Sequence, residues 1–301
     1  MLTTNLKRGA SALIIACAVV LFLFQHAYEP TKGYLNASDE RWLPEMRVVD
    51  SVDKATIVAR RYISRERGTE NERVVRGVDS FVRDRFKHGF AYTPYQENWI
   101  LASLGSAPPY EFSVPVNADS ILRHRRAMCS QQSIVFMELL KRFGVEHAAV
   151  RMDWPASNIY DQGHFAVAAK IDGRWRYYDA DLEAKTAPPI SDVLTGSAVP
   201  DMYPNKPKLV QNIRYAAAHN GIRVTDLNQH PGPRGLLFQR VTKAASDATP
   251  LFMLIVALLI WPGTLRRLSA AWRRNRGAPV RQPTLGSDGR TPSRSELTTT
   301  N

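Results

Sequence analysis

Two uninterrupted apolar runs bracket a long stretch in which apolar and polar residues alternate at short periods. The first, Ala10 to Phe24, is fifteen residues without a charge and follows Lys7 and Arg8. It predicts a signal anchor that stays as a transmembrane helix over residues 1–28. A cleaved signal peptide is the other reading, although Gln25 and Ala27 make a poor small-x-small cleavage site. The second run covers residues 248–265. Eighteen residues at ~1.5 Å each span about 27 Å, enough to cross a thin hydrocarbon core.

Between the runs the period changes from helical to strand-like. Residues 51–66 and 71–88 read as helices, the second with Val74, Val75, Val78, Phe81, Val82 and Phe86 on one side. Residues 91–117, rich in Gly, Pro, Asn and Ser, read as a loop, and 119–126 as a short helix or turn. From Ser133 to Phe143 apolar residues recur at three- and four-residue spacing, and Gly144 supplies a stop. Strands are then predicted at 145–152, 163–171 and 174–179. The last two are joined by Asp172-Gly173, a strong two-residue hairpin signal. Helices gathered before an antiparallel sheet indicate an α+β domain over residues 45–184. Residues 185–247 form an annex whose weak periodicity predicts no fold.

Charge sharpens the topology more than the function. The net +12 is half accounted for by residues 264–301, which hold eight arginines and two acids. That tail is poor in aromatics and rich in Pro, Ser, Thr and Gly, so residues 266–301 read as a disordered cytoplasmic tail. Arginines crowding one end of an apolar run suit the positive-inside rule and anionic lipid head groups. Both termini are therefore expected in the cytoplasm, as a two-pass protein of the cytoplasmic membrane with residues 28–247 outside it. Zinc-finger spacing, a phosphate loop and a basic-aromatic stripe are all missing from the sequence, so nucleic acid is not an expected partner.

Of the two cysteines, Cys17 lies inside the first apolar run, which leaves Cys129 without an intramolecular disulfide partner. Cys129 falls at the start of the helix that Ser133–Phe143 predicts, where free N–H groups and the helix dipole favour a thiolate. In the strand at 163–171, Phe165, Val167, Ala169 and Ile171 face one way and His164, Ala166, Ala168 and Lys170 the other. A two-residue turn would set Ala166 opposite Asp179 and His164 opposite Asp181, with both acids on the face of His164. A thiolate, an imidazole and an orienting carboxylate are what acyl transfer requires. The Cys129 backbone N–H is the expected first oxyanion donor, with Gln96 and Trp99 as candidates for a second. His88, His124, His147, His219 and His230 lack metal-ligand spacing, and neither a metal nor a cofactor is expected. Trp42, Trp99, Trp154 and Trp175 read as core.

The segments Ala127-Met128-Cys129, Leu139-Leu140-Lys141-Arg142-Phe143-Gly144-Val145, Gly163-His164-Phe165-Ala166-Val167 and Trp175-Arg176-Tyr177-Tyr178-Asp179 resemble the transglutaminase-like superfamily. The resemblance covers about fifty residues. It implies a papain-like core with Cys129 as nucleophile, His164 as base and acid, and Asp179 as orienting group, because the interval from Trp175 selects Asp179 over Asp181. Ala127 stands where the family usually has Gly, and Ala180-Asp181 where Pro-Thr is common.

The expected function is that of a membrane-tethered, extracytoplasmic thiol enzyme. It would cleave or transfer an amide or peptide acyl group of a protein or peptide substrate in the cell envelope. The reading from another class is a non-catalytic binding or accessory protein in envelope or exopolysaccharide assembly.

Overall fold

The computed structural model describes residues 2–26, 44–105, 113–155 and 163–261. Residues 27–43, Trp42 among them, and the arginine-rich tail lie outside them. The described residues fall into two compact units, residues 2–15 with 253–261 and residues from 16 to 252; the sheet, its helices and the cleft belong to the second.

The architecture is mixed helix and sheet, with an apolar helix toward each terminus. Helix α1 (Leu2–His26) and helix α10 (Pro233–Ile260) are each long and apolar enough to cross a membrane. Helix α10 starts well before the apolar run at 248–265, so the end of the annex and the beginning of that run are one continuous helix. Pro250 sits inside it and has no N–H to donate to the carbonyl of Ser246. Gln25 Nε2 supplies the missing bond at 3.1 Å and also reaches Ser246 Oγ at 3.2 Å, which ties the end of α1 to α10.

Helices α2 (Val52–Ile63) and α3 (Glu70–Arg85) are capped by Ser51 and Thr69, whose side chains accept from Lys54 N and Glu72 N. Strand β1 (Lys87–His88) pairs in parallel with β2 (Arg126–Ala127), which leads directly into helix α6 (Cys129–Arg142). Within the expected loop at 91–117 lies a short helix, α4 (Trp99–Leu104), and α5 (Ala118–Leu122) follows at the expected short helix or turn. Buried Arg85 donates to Val49 O, to His124 O at 2.9 Å and to Leu122 O, so it fastens α3 to the segment that feeds β2 and α6.

The main sheet is antiparallel with strand order β5-β4-β3-β6. Its strands are β3 (His147–Asp153), β4 (Gly163–Ile171), β5 (Arg174–Tyr178) and β6 (Ile222–Val224). The β4–β5 hairpin turns on Asp172-Gly173, both at positive φ (49° and 80°), and pairs Ile171 with Arg174 and Val167 with Tyr178. Alternation then sorts the β4 side chains. Val167, Ala169 and Ile171 join the core under α2, α3 and α6. Ala166 and Ala168 meet a second core with Tyr177, Met152 and the helices α7 (Ile190–Leu194), α8 (Val199–Met202) and α9 (Pro207–Ala218). The annex is thus a helical layer that buries the second face of the sheet. Its pattern is faint because its elements are short and separated by prolines.

Helices α2 and α3 approach so closely that a Cβ on Gly77 would lie 2.6 Å from the backbone N and Cα of Ile63. An exposed helical Gly→Ala exchange typically gains about 1 kcal/mol. Here Gly77→Ala should instead lose ~1–3 kcal/mol, the usual scale of core overpacking, read as a lower urea midpoint at unchanged m-value. A midpoint at or above that of the parent would mean the helices are free to separate.

Candidate active site

Cys129 is the first residue of α6, so its own N–H and those of Ser130 and Gln131 have no helical acceptor. Gln131 locks this helix start. Its Oε1 accepts from Met128 N at 3.0 Å, and its Nε2 donates to the carbonyls of Pro115 (3.2 Å) and Ala91 (3.4 Å). The Pro115 segment is in turn held by α10, where Gln239 bonds Val116 N at 2.9 Å and Val114 O at 2.7 Å. Cys129 is a free, half-buried thiol.

His164 sits at the second position of β4, paired with Met152, and is 4% exposed. Its Nε2 meets Asp179 Oδ2 at 2.7 Å, and its ring also hydrogen-bonds Cys129, which leaves Nδ1 as the nitrogen facing the thiol. Asp179 follows the last residue of β5 and is 1% exposed. Oδ1 accepts from Leu182 N at 3.1 Å, and Oδ2 accepts from Tyr203 OH and, at 3.5 Å, from Tyr177 OH. Burial by itself would lower the His164 pKa, yet the Asp179 charge, its hydrogen bond and the Cys129 thiol together hold it well above the ordinary value. Burial would raise Asp179, but the His164 charge and the bonds from His164, Tyr203 and Leu182 hold it below the usual carboxylate range. Burial and the Asp179 charge push the phenols of Tyr177 and Tyr203 well up, so both stay proton donors.

Asp181 is not opposite His164. The hairpin register is the expected one as far as Tyr178, but the chain then turns, with Leu182 N on Asp179 Oδ1 and Ala184 N on Asp179 O. That turn carries Asp181 across to α6 and β1. There it accepts from Gln132 Nε2 at 2.6 Å and contacts His88 Nδ1 at 2.9 and 3.0 Å. The hydrogen bond to Asp181 raises the His88 pKa, with burial opposing.

A cleft of about 680 Å³ opens over Cys129 and His164, lined also by His88, Met128, Trp154, Asp181, Lys206 and Lys208. A second hollow meets it at Cys129, His164 and Trp154 and continues past Arg151 and Phe165. His88, which lacks a sequence signal, is therefore a cleft residue, and Trp154, buried in the second core as expected, lines the cleft with its remaining edge. No spacing signal marks His88, because it reaches the site through the parallel β1–β2 pairing opposite Ala127. Gln96 and Trp99 do not line the cleft; Trp99 N donates to Ser246 Oγ at 3.3 Å, on the α10 side. Compared with protein-family models, curated proteins and solved structures, the chain matches none of them.

What this arrangement does chemically follows from its polarity. A thiol beside an imidazole, with free N–H groups at a helix start, is suited to attack on an acyl carbon and to stabilising the resulting oxyanion.

The His164–Asp179 pair has a defined pH window. The raised His164 pKa contributes stability that is complete below about 6.5 and lost as pH rises through its folded value. The lowered Asp179 pKa contributes stability present above about 3.9 and lost as pH falls through its folded value. The stability gap between parent and Asp179→Asn should therefore be widest between about pH 4 and 6.5 and should shrink on either side. Urea midpoints across pH test this; a gap independent of pH would show that packing alone, not the ion pair, is lost.

Proposed function

We propose that this protein is a membrane-tethered thiol enzyme that cleaves or transfers an amide or peptide acyl group through a Cys129 acyl-enzyme. The observation that carries the reading is the single line of contacts from the Cys129 thiol through the His164 ring to buried Asp179. In it, Cys129 attacks the acyl carbon, and His164 takes up the thiol proton and returns one to the leaving amine. Asp179 holds the ring nitrogen remote from Cys129. The N–H of Cys129 donates to the oxyanion. The hollows on both sides of the thiol favour a substrate that runs past the nucleophile as an extended chain, such as a peptide of the cell envelope. Hydrolysis is the simpler outcome, since among the described residues that line the groove none forms a separate amine site. The order of Cys129 at a helix start, His164 on β4 and Asp179 just past β5 supports a transglutaminase-like, catalytically competent member over a binding protein that has lost its chemistry.

The test is covalent labelling by a thiol-directed acyl-peptide probe, using full-length protein with Cys17 replaced by serine. Cys129→Ser should abolish labelling, and Asp179→Asn should slow it by ~10²–10⁴-fold, since an amide no longer stabilises the imidazolium. Asp181→Asn should cost far less. A slower Asp181 variant than Asp179 variant would move the orienting role to Asp181.

We further propose that α1 and α10 place the protein in the cytoplasmic membrane with both ends inside and the cleft outside. Lys7-Arg8 and the arginines after Leu265 support this orientation. Topology reporters fused after Asp247 and after Asn301 should read opposite compartments; an outside signal from the C-terminal fusion would reverse the assignment of α10.

A further inference from the structure

The thiol, the imidazole and the second carboxylate of the cleft converge on one point. A sulfur of Cys129, a ring nitrogen of His164 and a carboxylate oxygen of Asp181 all lie within 4.8 Å of one another. A tetrahedral zinc ion, with bonds of about 2.0–2.3 Å, needs its ligand atoms roughly 3.5 Å apart. Closing a 4.8 Å separation to that spacing takes about 1.3 Å, shared between two side chains.

We propose that the cleft binds one divalent cation of the zinc class through Cys129 Sγ, His164 Nδ1 and the Asp181 carboxylate, with the fourth position open to the cleft. Four further observations favour it. First, the donor set is right: thiolate, imidazole and one carboxylate suit zinc, whereas calcium and magnesium demand oxygen-rich shells. Second, a thiolate and a carboxylate balance a dication, with the thiol and the imidazole giving up their protons as the metal binds. Third, the outer support is already built. Nε2 of His164 is bonded to Asp179, which fixes the ring with Nδ1 toward the thiol, as a metal-binding histidine requires. Fourth, Gln132 and His88 hold Asp181 in place at 2.6 Å and 2.9 Å while leaving it lone pairs to give. The sequence spacing of these ligands matches no metal motif, because the set assembles only when the turn after β5 carries Asp181 back to α6. Bound there, the cation would occupy both the nucleophile and its base. That inhibitory consequence rests on the thiol-enzyme reading; the binding itself does not.

The test uses full-length, tag-free protein in detergent, with Cys17 replaced by serine, and zinc or cobalt(II) alone as the probe. Competition against a chromophoric chelator should give one zinc per chain, and cobalt should show the near-ultraviolet band of thiolate-to-metal charge transfer. Carboxymethylation of Cys129 should abolish both without any substitution at the site. Asp181→Asn, checked for fold by circular dichroism, should weaken zinc by at least ~10-fold, since even outer-shell losses cost ~10–100-fold. Zinc should also protect Cys129 from the acyl-peptide probe. The proposal is overturned if zinc fails to bind, if carboxymethylated protein binds it equally, or if Asp181→Asn leaves the affinity unchanged. Zinc uptake by a chain that never reacts with the probe would defeat the thiol-enzyme reading alone. Probe labelling indifferent to zinc would defeat the metal site alone.

Discussion

A carboxylate taken out of water must be fully partnered, and the architecture around the cleft is organised by that demand at Asp179. Its two oxygens receive the His164 ring, the Leu182 N–H and the phenols of Tyr203 and Tyr177. Each partner comes from a different part of the chain: β4, the turn after β5, the annex helices and β5. Losing the His164 ring would leave that charge without its counter-ion, at a cost larger than a typical hydrogen bond is worth. The same carboxylate therefore closes the turn, docks the annex and orients the imidazole.

The annex is the less obvious partner. Tyr203, just past α8, donates to Asp179, and Lys206 Nζ donates to Leu182 O at 2.6 Å. Val193, Val199, Met202, Ile213 and Ala216 bury the sheet face that carries His164. On the opposite side Arg83 of α3 reaches Asp179 O at 3.3 Å and Ala184 O at 3.4 Å while paired with Asp79. The turn is thus gripped from both faces of the sheet, which keeps Asp179 in line with His164 and frees Asp181 for the cleft.

The start of α6 is fixed in a comparable way. Gln131 reads two carbonyls of the 91–115 region, and Gln239 of α10 braces that same region. The helix that runs on into the apolar segment is therefore in hydrogen-bonded contact, through one intermediate strand of backbone, with the first turn that presents Cys129. The cleft and the first turns of α10, both within residues 16–252, are parts of one hydrogen-bonded arrangement.

Local pattern by itself determined a good deal. The period-2 run of 163–171, the Asp172-Gly173 turn and the 3.6-period run ending at Gly144 specify a helix and a hairpin, because each signal depends only on neighbours in sequence. The phase of that hairpin puts His164 and Asp179 on a common face, and the position of Cys129 ahead of the helix follows from the same reading. The two apolar runs declare themselves by length and charge. Tertiary structure alone decided the remainder. Whether Asp179 or Asp181 meets His164 depends on where β5 ends, and that is set by the Leu182 N–H and the Tyr203 hydroxyl, neither of which the pairing rule sees. His88 enters the cleft through a two-residue parallel bridge, too short for any periodicity to announce. The annex packs as short helices whose apolar positions are specified by the sheet face they cover, so their fold is written in the complementarity of two surfaces, not in a period along one chain.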